Sequence, residues 1–319
     1  MGTKRTLGLG VSLLLAAACA PGTVRTVEEA KAPAEARSEV FSPQSAALLF
    51  TSNHEGNSEV YLRPAGSSAA VNLTRDPAGD NWPEWSPDGR RIAFQSRRSG
   101  NLDIWVMAAD GTGPTRLTDD AEPDYLPSWS ADGGSITFTS WRREAGDAER
   151  SSHIYLMNAD GSGERRLVAE ALGTSAGAAW APDGQSFIFS RQTEGENVDL
   201  FVADAAGGNE RRLTRGGAYL GSAVFSPDGR TIAYYAVDAD DRSDLVVARA
   251  DGTEPRVVLR GGQAWYPRFS PDGRWLLYTA APEGGVEGDL DILAVPTDGS
   301  GEPVLVAGGP GRQSEGRWR

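Results

Sequence analysis

The chain carries few side chains for covalent or metal chemistry: one cysteine, Cys19, and two histidines, His54 and His153. Two histidines exclude a three-histidine zinc site, neither an H-E-x-x-H nor a Walker A sequence is present, and no G-x-S-x-G nucleophile elbow is expected. Gly207-Gly208-Asn209 and Gly284-Gly285 read as hairpin glycines rather than phosphate cradles, because neither enters a helical pattern. Carboxylates are the abundant resource. Asp238, Asp240, Asp241 and Asp244 hold enough oxygen for calcium but lack the spacing and glycine of an EF-hand loop, so an acidic surface hairpin explains them more simply. A second set is spread along the chain as Glu59, Asp103, His153, Asp199, Asp244 and Asp291, each just before an apolar run. Such groups either fix the start of each run by accepting turn hydrogen bonds or, in a sharper reading, share a cation or sugar. His153 reads as a substituted turn residue rather than a general base. No residue is assigned a catalytic role, and no cofactor is expected.

These positions recur because the chain repeats. Ser86-Pro87-Asp88-Gly89, Ser226-Pro227-Asp228-Gly229 and Ser270-Pro271-Asp272-Gly273 share one landmark, with variants at 130–133 and 181–184 and a worn copy at 42–45. The copies start at 42, 86, 130, 181, 226 and 270, a period of about 44 residues with one long interval. Proline fixes φ, aspartate and serine bond nearby amides, and glycine accepts positive φ, so a hairpin turn is expected at each copy.

The flanks of that turn supply four strands per unit. An aromatic residue precedes it at Phe41, Trp85, Trp129, Trp180, Phe225 and Phe269, and runs such as R-I-A-F-Q, D-I-W-V-M and R-L-T follow. Four short strands cannot bury both faces alone, whereas a ring of such sheets lets each aromatic pack on its neighbour. The sequence therefore predicts an all-β fold, a six-bladed β-propeller of four-stranded antiparallel blades over residues 39–308. Ring closure is expected from packing of the first blade on the sixth, with residues 23–27 as an alternative outer strand. The tail 309–319 has little strand character and is expected to be loose despite Trp318.

On the face opposite the S-P-D-G turns, the longest loop accounts for the one long interval. Trp141, Arg142, Arg143, Glu144 and Arg150 make it an arginine-rich, tryptophan-bearing protrusion, either an interaction loop for an acidic partner or a tolerated insertion. Trp82, Trp105, Trp141 and Trp265 would serve a glycan at the channel mouth, although core packing is the simpler role for repeat tryptophans.

Net charge is −13, and loss of Lys4 and Arg5 with a leader takes it to −15, which argues against nucleic acid as a partner. Lys4 and Arg5 precede an apolar run of about a dozen residues, too short for a permanent span, so residues 1–18 read as a signal peptide. Residues 19–38, rich in Ala, Glu and Pro, read as a tether.

Two resemblances sharpen the expectations. L-L-A-A-A-C at 14–19 resembles the lipobox of bacterial lipoproteins, which implies lipidation of Cys19. Export to the periplasm or envelope follows, with an outer-membrane lipid anchor in a diderm bacterium. The order S-P-D-G, I-A-F, D-I-W-V-M, D-G, R-L-T resembles the PD40 repeat of TolB-like propellers, which look like distant relatives of WD40 domains. That resemblance supports a structural role for the residues before the third strand. TolB members carry a separate α/β domain before the propeller, where only a short tether is expected here, so that domain's partners do not carry over. Some oligopeptidases join a similar propeller to an α/β-hydrolase domain, which is likewise not expected. The function expected is a non-catalytic protein-binding or scaffold module with an envelope or cell-wall-associated partner. A glycan-binding or glycan-cleaving protein is the alternative.

Overall fold

The computed structural model describes residues 46–143, 151–168, 174–193, 195, 197–215, 219–282 and 288–319. Among these there are 24 strands and no helix. The first three are β1 (Leu48–Ser52), β2 (Glu59–Arg63) and β3 (Val71–Asn72). Blade two follows with β4 (Asp80–Trp85), β5 (Arg91–Ser96), β6 (Asp103–Ala108) and β7 (Thr115–Arg116). Blade three has β8 (Asp124–Trp129), β9 (Ser135–Ser140), β10 (His153–Asn158) and β11 (Arg165–Arg166). Blade four has β12 (Ser175–Trp180), β13 (Ser186–Gln192), β14 (Val198–Asp204) and β15 (Arg211–Arg212). Blade five has β16 (Tyr219–Phe225), β17 (Thr231–Val237), β18 (Ser243–Arg249) and β19 (Arg256–Gly262). Blade six has β20 (Ala264–Phe269), β21 (Trp275–Ala280), β22 (Asp291–Pro296) and β23 (Val304–Ala307), and β24 (Gln313–Trp318) comes last.

Within each blade, neighbouring strands pair antiparallel, and one parallel bridge from Val198 to Tyr219 links blades four and five. The second strands, such as β5 with Ile92, Ala93 and Phe94 fully buried, sit between adjacent blades and so read as apolar on both faces. The fourth strands β3, β7, β11 and β15 are two-residue edges and largely exposed. Short edges of this kind limit unwanted pairing.

The S-P-D-G turn has the chemistry its residues suggest. Ser86 Oγ donates to Asp88 Oδ1 at 2.6 Å and accepts the Arg91 amide at 2.9 Å, while Asp88 Oδ1 accepts the Arg90 amide at 3.0 Å. Ser130, Ser226 and Ser270 repeat these bonds in blades three, five and six. The Ser86 hydroxyl and the Arg90 amide hold the Asp88 pKa below its usual value.

The D-G loop between third and fourth strands sets blade spacing. A Cβ on Gly252, at φ +86°, would stand 2.5 Å from the Leu213 carbonyl oxygen of blade four, and Gly111 meets the Leu73 carbonyl of blade one in the same way at 2.8 Å. Only glycine allows the rims to approach that closely.

Closure differs from the sequence expectation. Blade one runs in the order β24-β1-β2-β3, and β24 pairs antiparallel with β1, bringing Leu48 opposite Trp318 and Ser52 opposite Gln313. Every residue of Gln313–Trp318 is buried. The 309–319 segment is therefore not a loose tail, and the propeller does not end at 308. Blade-to-blade packing alone does not close the ring, because the last strand of the chain hydrogen-bonds to the first described one. The worn turn at 42–45, Cys19 and the alternative strand at 23–27 lie outside the described residues.

Candidate functional site

The inner strands β4, β8, β12, β16, β20 and β24 line the axis, and each breaks register with its neighbour at the same place. The residue there has positive φ in every blade: Trp82 at 53°, Leu126 at 55°, Gly177 at 69°, Ser222 at 50°, Tyr266 at 60° and Glu315 at 56°. Six β-bulges thus turn one residue per blade out of the ladder beside the axis. Non-glycine residues hold this conformation only where their surroundings fix it.

A belt of hydrogen bonds between blades supplies that fixing. The Leu126 amide donates to Gln95 Oε1 at 3.0 Å, the Gly177 amide to Thr139 Oγ1 at 3.1 Å and the Glu315 amide to Thr279 Oγ1 at 3.2 Å. Each acceptor belongs to the second strand of the preceding blade. Between blades one and two a carboxylate intervenes, where Glu315 Oε2 accepts both the Trp82 amide at 2.9 Å and the Thr51 hydroxyl at 2.6 Å. Burial raises the Glu315 pKa against these bonds.

Aromatic rings occupy the same level. Trp82 meets Tyr266 edge to face with centroids 4.7 Å apart, and Tyr235 meets Tyr266 at 6.1 Å and Tyr219 at 6.2 Å. Trp82 is therefore packed in, not offered as a platform. Trp105 lies on the third strand of blade two under Arg98, 4.9 Å from its ring centroid, and Trp141 begins a loop of blade three. Trp265, on the inner strand of blade six, packs against the apolar core of blades five and six, so the four tryptophans expected to serve a glycan do not form one surface.

The candidate interaction loop has a fixed root. Arg142 Nη2 donates to the buried Asp124 at 2.5 Å, Nη1 donates to Glu164 at 2.6 Å, and the guanidinium lies 4.8 Å from the Tyr155 centroid. Arg142 is thus structural, and Arg98 makes the same bond to Asp80 at 2.6 Å in blade two. Burial pushes both Asp80 and Asp124 up to about 6 despite these arginines. Arg143 is exposed at the end of the fixed stem, while Glu144 and Arg150 lie outside the described residues.

The six residues expected just before the third strand are its first or second residue, and they do not converge. Each binds the fourth strand, or the chain just after it, within its own blade. Glu59 accepts from Thr74, Asp103 from Arg116 at 2.8 Å, Asp199 from Arg212 at 2.5 Å and from Thr214 at 3.0 Å, and Asp244 from the Gly261 amide at 2.7 Å. Asp291 accepts the Gly309 amide. In blade three, Arg166 Nη2 donates to His153 Nδ1 at 2.8 Å, which requires an unprotonated Nδ1 and leaves the ring proton on Nε2 for Ser151 Oγ at 3.0 Å. At the candidate calcium cluster, Arg242 sits 3.2 Å from Asp238 and 2.9 Å from Asp240. An arginine occupies the place a cation would take, and Asp244 points to Gly261 instead.

Two serines carry one feature of a nucleophile each, Ser52 a histidine neighbour and Ser175 a sequence motif. Ser52 Oγ is 2.9 Å from His54 Nδ1, but it is buried and also accepts the His54 amide, as Ser96 and Ser140 accept the amides of Arg98 and Arg142. It is a turn cap. Contrary to the expectation that no nucleophile elbow is present, Gly173-Thr174-Ser175-Ala176-Gly177 has its G-x-S-x-G spacing. Ser175 opens an inner strand rather than a strand-to-helix turn, is fully buried, and accepts Arg191 Nε at 3.0 Å.

Inner strands with a bulge beside the axis, third strands clamped by a polar residue and a ring closed by the last strand define a β-propeller of four-stranded blades. The TolB beta propeller domain model matches residues 143–318, and the chain belongs to that family. The Tricorn protease N-terminal beta propeller domain model matches residues 62–197. No curated protein matches the chain. TolB from Acinetobacter baumannii is similar in structure, with TM-score 0.72 and 19% identity over 87% of this chain and 67% of that one. The putative TolB from Agrobacterium tumefaciens gives 0.65 and 19% over 86% of this chain and 98% of that one. Oligogalacturonate lyase from Vibrio parahaemolyticus gives 0.57 and 15% over 84% and 76%. At these identities the likeness is one of fold.

Proposed function

We propose that this chain is a non-catalytic protein-binding or scaffold module of the cell envelope, held at a membrane by a lipid on Cys19, that meets its partner through the loop face. The observation that carries the reading is the stem of the longest loop. Arg142, bonded to Asp124 and Glu164, fixes Trp141 and Arg143 to blade three, so the loop springs from a rigid base. Loops on rigid scaffolds can vary to suit a partner without loss of the ring. The polar groups with apparent catalytic character, Ser52, His153 and Ser175, are spent on internal bonds, which favours binding over chemistry. The leader and the L-L-A-A-A-C sequence support the envelope location.

A photo-crosslinking residue at Arg143, on the loop face, and another at Asp228, in an S-P-D-G turn, test the reading in the native envelope. One reproducible protein adduct from position 143 and none from 228 is expected. No adduct at 143, or the same adducts from both faces, contradicts it. Labelled palmitate should enter the wild type and not Cys19→Ala.

A further inference from the structure

The S-P-D-G end of the axis holds an arginine, Arg268, that makes no ion pair among the described residues, although the charges of Glu84 and Glu315 reach it. Arg268, Arg317 and Glu84 occupy the same place on the inner strands of blades six, one and two, two residues beyond the bulge residue. Arg317 is well satisfied. Its Nε donates to Glu84 Oε2 at 2.5 Å, and its Nη1 donates to the carbonyls of Glu315 and Gly316 at 3.2 and 3.1 Å. Arg268 makes one hydrogen bond, from Nη1 to the carbonyl of its neighbour Pro267 at 2.8 Å. Among the described residues no carboxylate lies within 4 Å of its guanidinium, although it remains partly accessible.

Arg268 lies on an inner strand at the register position that Arg317 and Glu84 hold in blades one and two, and the charges of Arg317, Glu84 and Glu315 reach it from there. Burial and the Arg317 charge pull its pKa down to about 9, whereas Arg142, with two carboxylates, is shifted up. A partly desolvated guanidinium beside a like charge is costly, and a bound anion offsets that cost. The other half of the ring is small and neutral, with Ser128, Ala179 and Val224 at the corresponding places of blades three, four and five. Trp82 packed on Tyr266 lies at the next level inward.

We propose that Arg268, with Arg317 beside it adding positive charge, forms a site for a small oxyanion, phosphate or carboxylate, that enters the axis from the S-P-D-G face. Guanidinium forks match both groups through paired N–H donors. The site lies opposite the loop face and stands independently of the protein-binding reading. The net charge of −13 opposes diffuse anion accumulation, so saturation reports a local site.

The test is an NMR titration of the arginine Nε–Hε signals at constant ionic strength, with inorganic phosphate and acetate as probes against a chloride background. A saturable response of Arg268 to either probe is expected, with Arg268→Gln weakening binding by roughly tenfold or more. A phosphate-only response assigns a tetrahedral anion and an acetate-only response a carboxylate, such as a chain terminus. Without anion, Arg268→Gln is expected to melt no lower than wild type, because it removes a desolvated charge. No saturable response to either probe, unchanged affinity in Arg268→Gln, or a large loss of stability in that variant overturns the proposal.

Discussion

Thr51 and Glu315 lie 264 residues apart in the chain, and the Thr51 hydroxyl donates to Glu315 Oε2 at 2.6 Å. The same oxygen accepts the Trp82 amide, so one carboxylate joins β1, β24 and the inner strand of blade two. Elsewhere in the described belt a threonine or glutamine of the second strand bonds the next blade directly. At the closure the chain's own last strand supplies the link.

Glu315→Ala leaves the Thr51 hydroxyl and the Trp82 amide without their acceptor. A loss of about 2–4 kcal/mol is expected in urea denaturation. Glu315→Gln keeps an acceptor oxygen and should cost less than half as much. Equal stability of the alanine variant and wild type would contradict the latch.

Acid-side stability follows from two opposed sets of carboxylates. Asp80 and Asp124 titrate near 6 in the fold against 3.8 as the ordinary value, so their contribution is full below about 3.8 and is lost as pH rises through 6. Asp88, Asp132 and Asp228 are shifted down by their turn bonds, so their contribution is present above 3.8 and lost as pH falls. The melting temperature should peak between about pH 4 and 6. Asp80→Asn with Asp124→Asn should flatten the rise between pH 7.5 and 5, and a wild-type Tm that falls steadily over that interval would contradict the assignment.

Gly252→Ala should be more damaging than Gly113→Ala, though both glycines have positive φ. An alanine Cβ at 252 meets the Leu213 carbonyl at 2.5 Å, whereas nothing lies within 4 Å at 113. Costs of about 3 kcal/mol and about 1 kcal/mol are expected by denaturant titration. Similar costs at the two sites would show that rim contact does not set blade spacing.

His153 stands where four other blades have aspartate and blade one has glutamate. His153→Asp should fold with stability close to wild type, because Arg166 then gains a carboxylate in place of an imidazole nitrogen. His153→Leu leaves Arg166 short of that acceptor and should cost about 1–3 kcal/mol in thermal unfolding. A leucine variant as stable as the aspartate variant would remove the clamp role.

Much of the ring is legible because its turns and second strands are local devices. The S-P-D-G bonds close within five residues, and a strand buried on both faces has little choice but to be apolar. The bulge residues are hidden because Trp82, Leu126, Gly177, Ser222, Tyr266 and Glu315 share a backbone conformation and no side-chain type. The closing strand Gln313–Trp318 is hidden for a related reason: its polar residues line the axis, where apolar alternation is not required. Trp318 alone carries the signal, at the place of Trp85 and Trp129. Arg142 looks like a surface arginine until it is set beside Arg98. Each lies 18 residues after the aspartate it binds, a spacing the sequence does contain.

Deuterium uptake by the backbone of Gln313–Trp318 tests ring closure most directly. Protection comparable with that of Leu48–Ser52, its partner strand, is predicted. Uptake as fast as that of the connecting segment 308–312 would contradict a ring closed by its last strand.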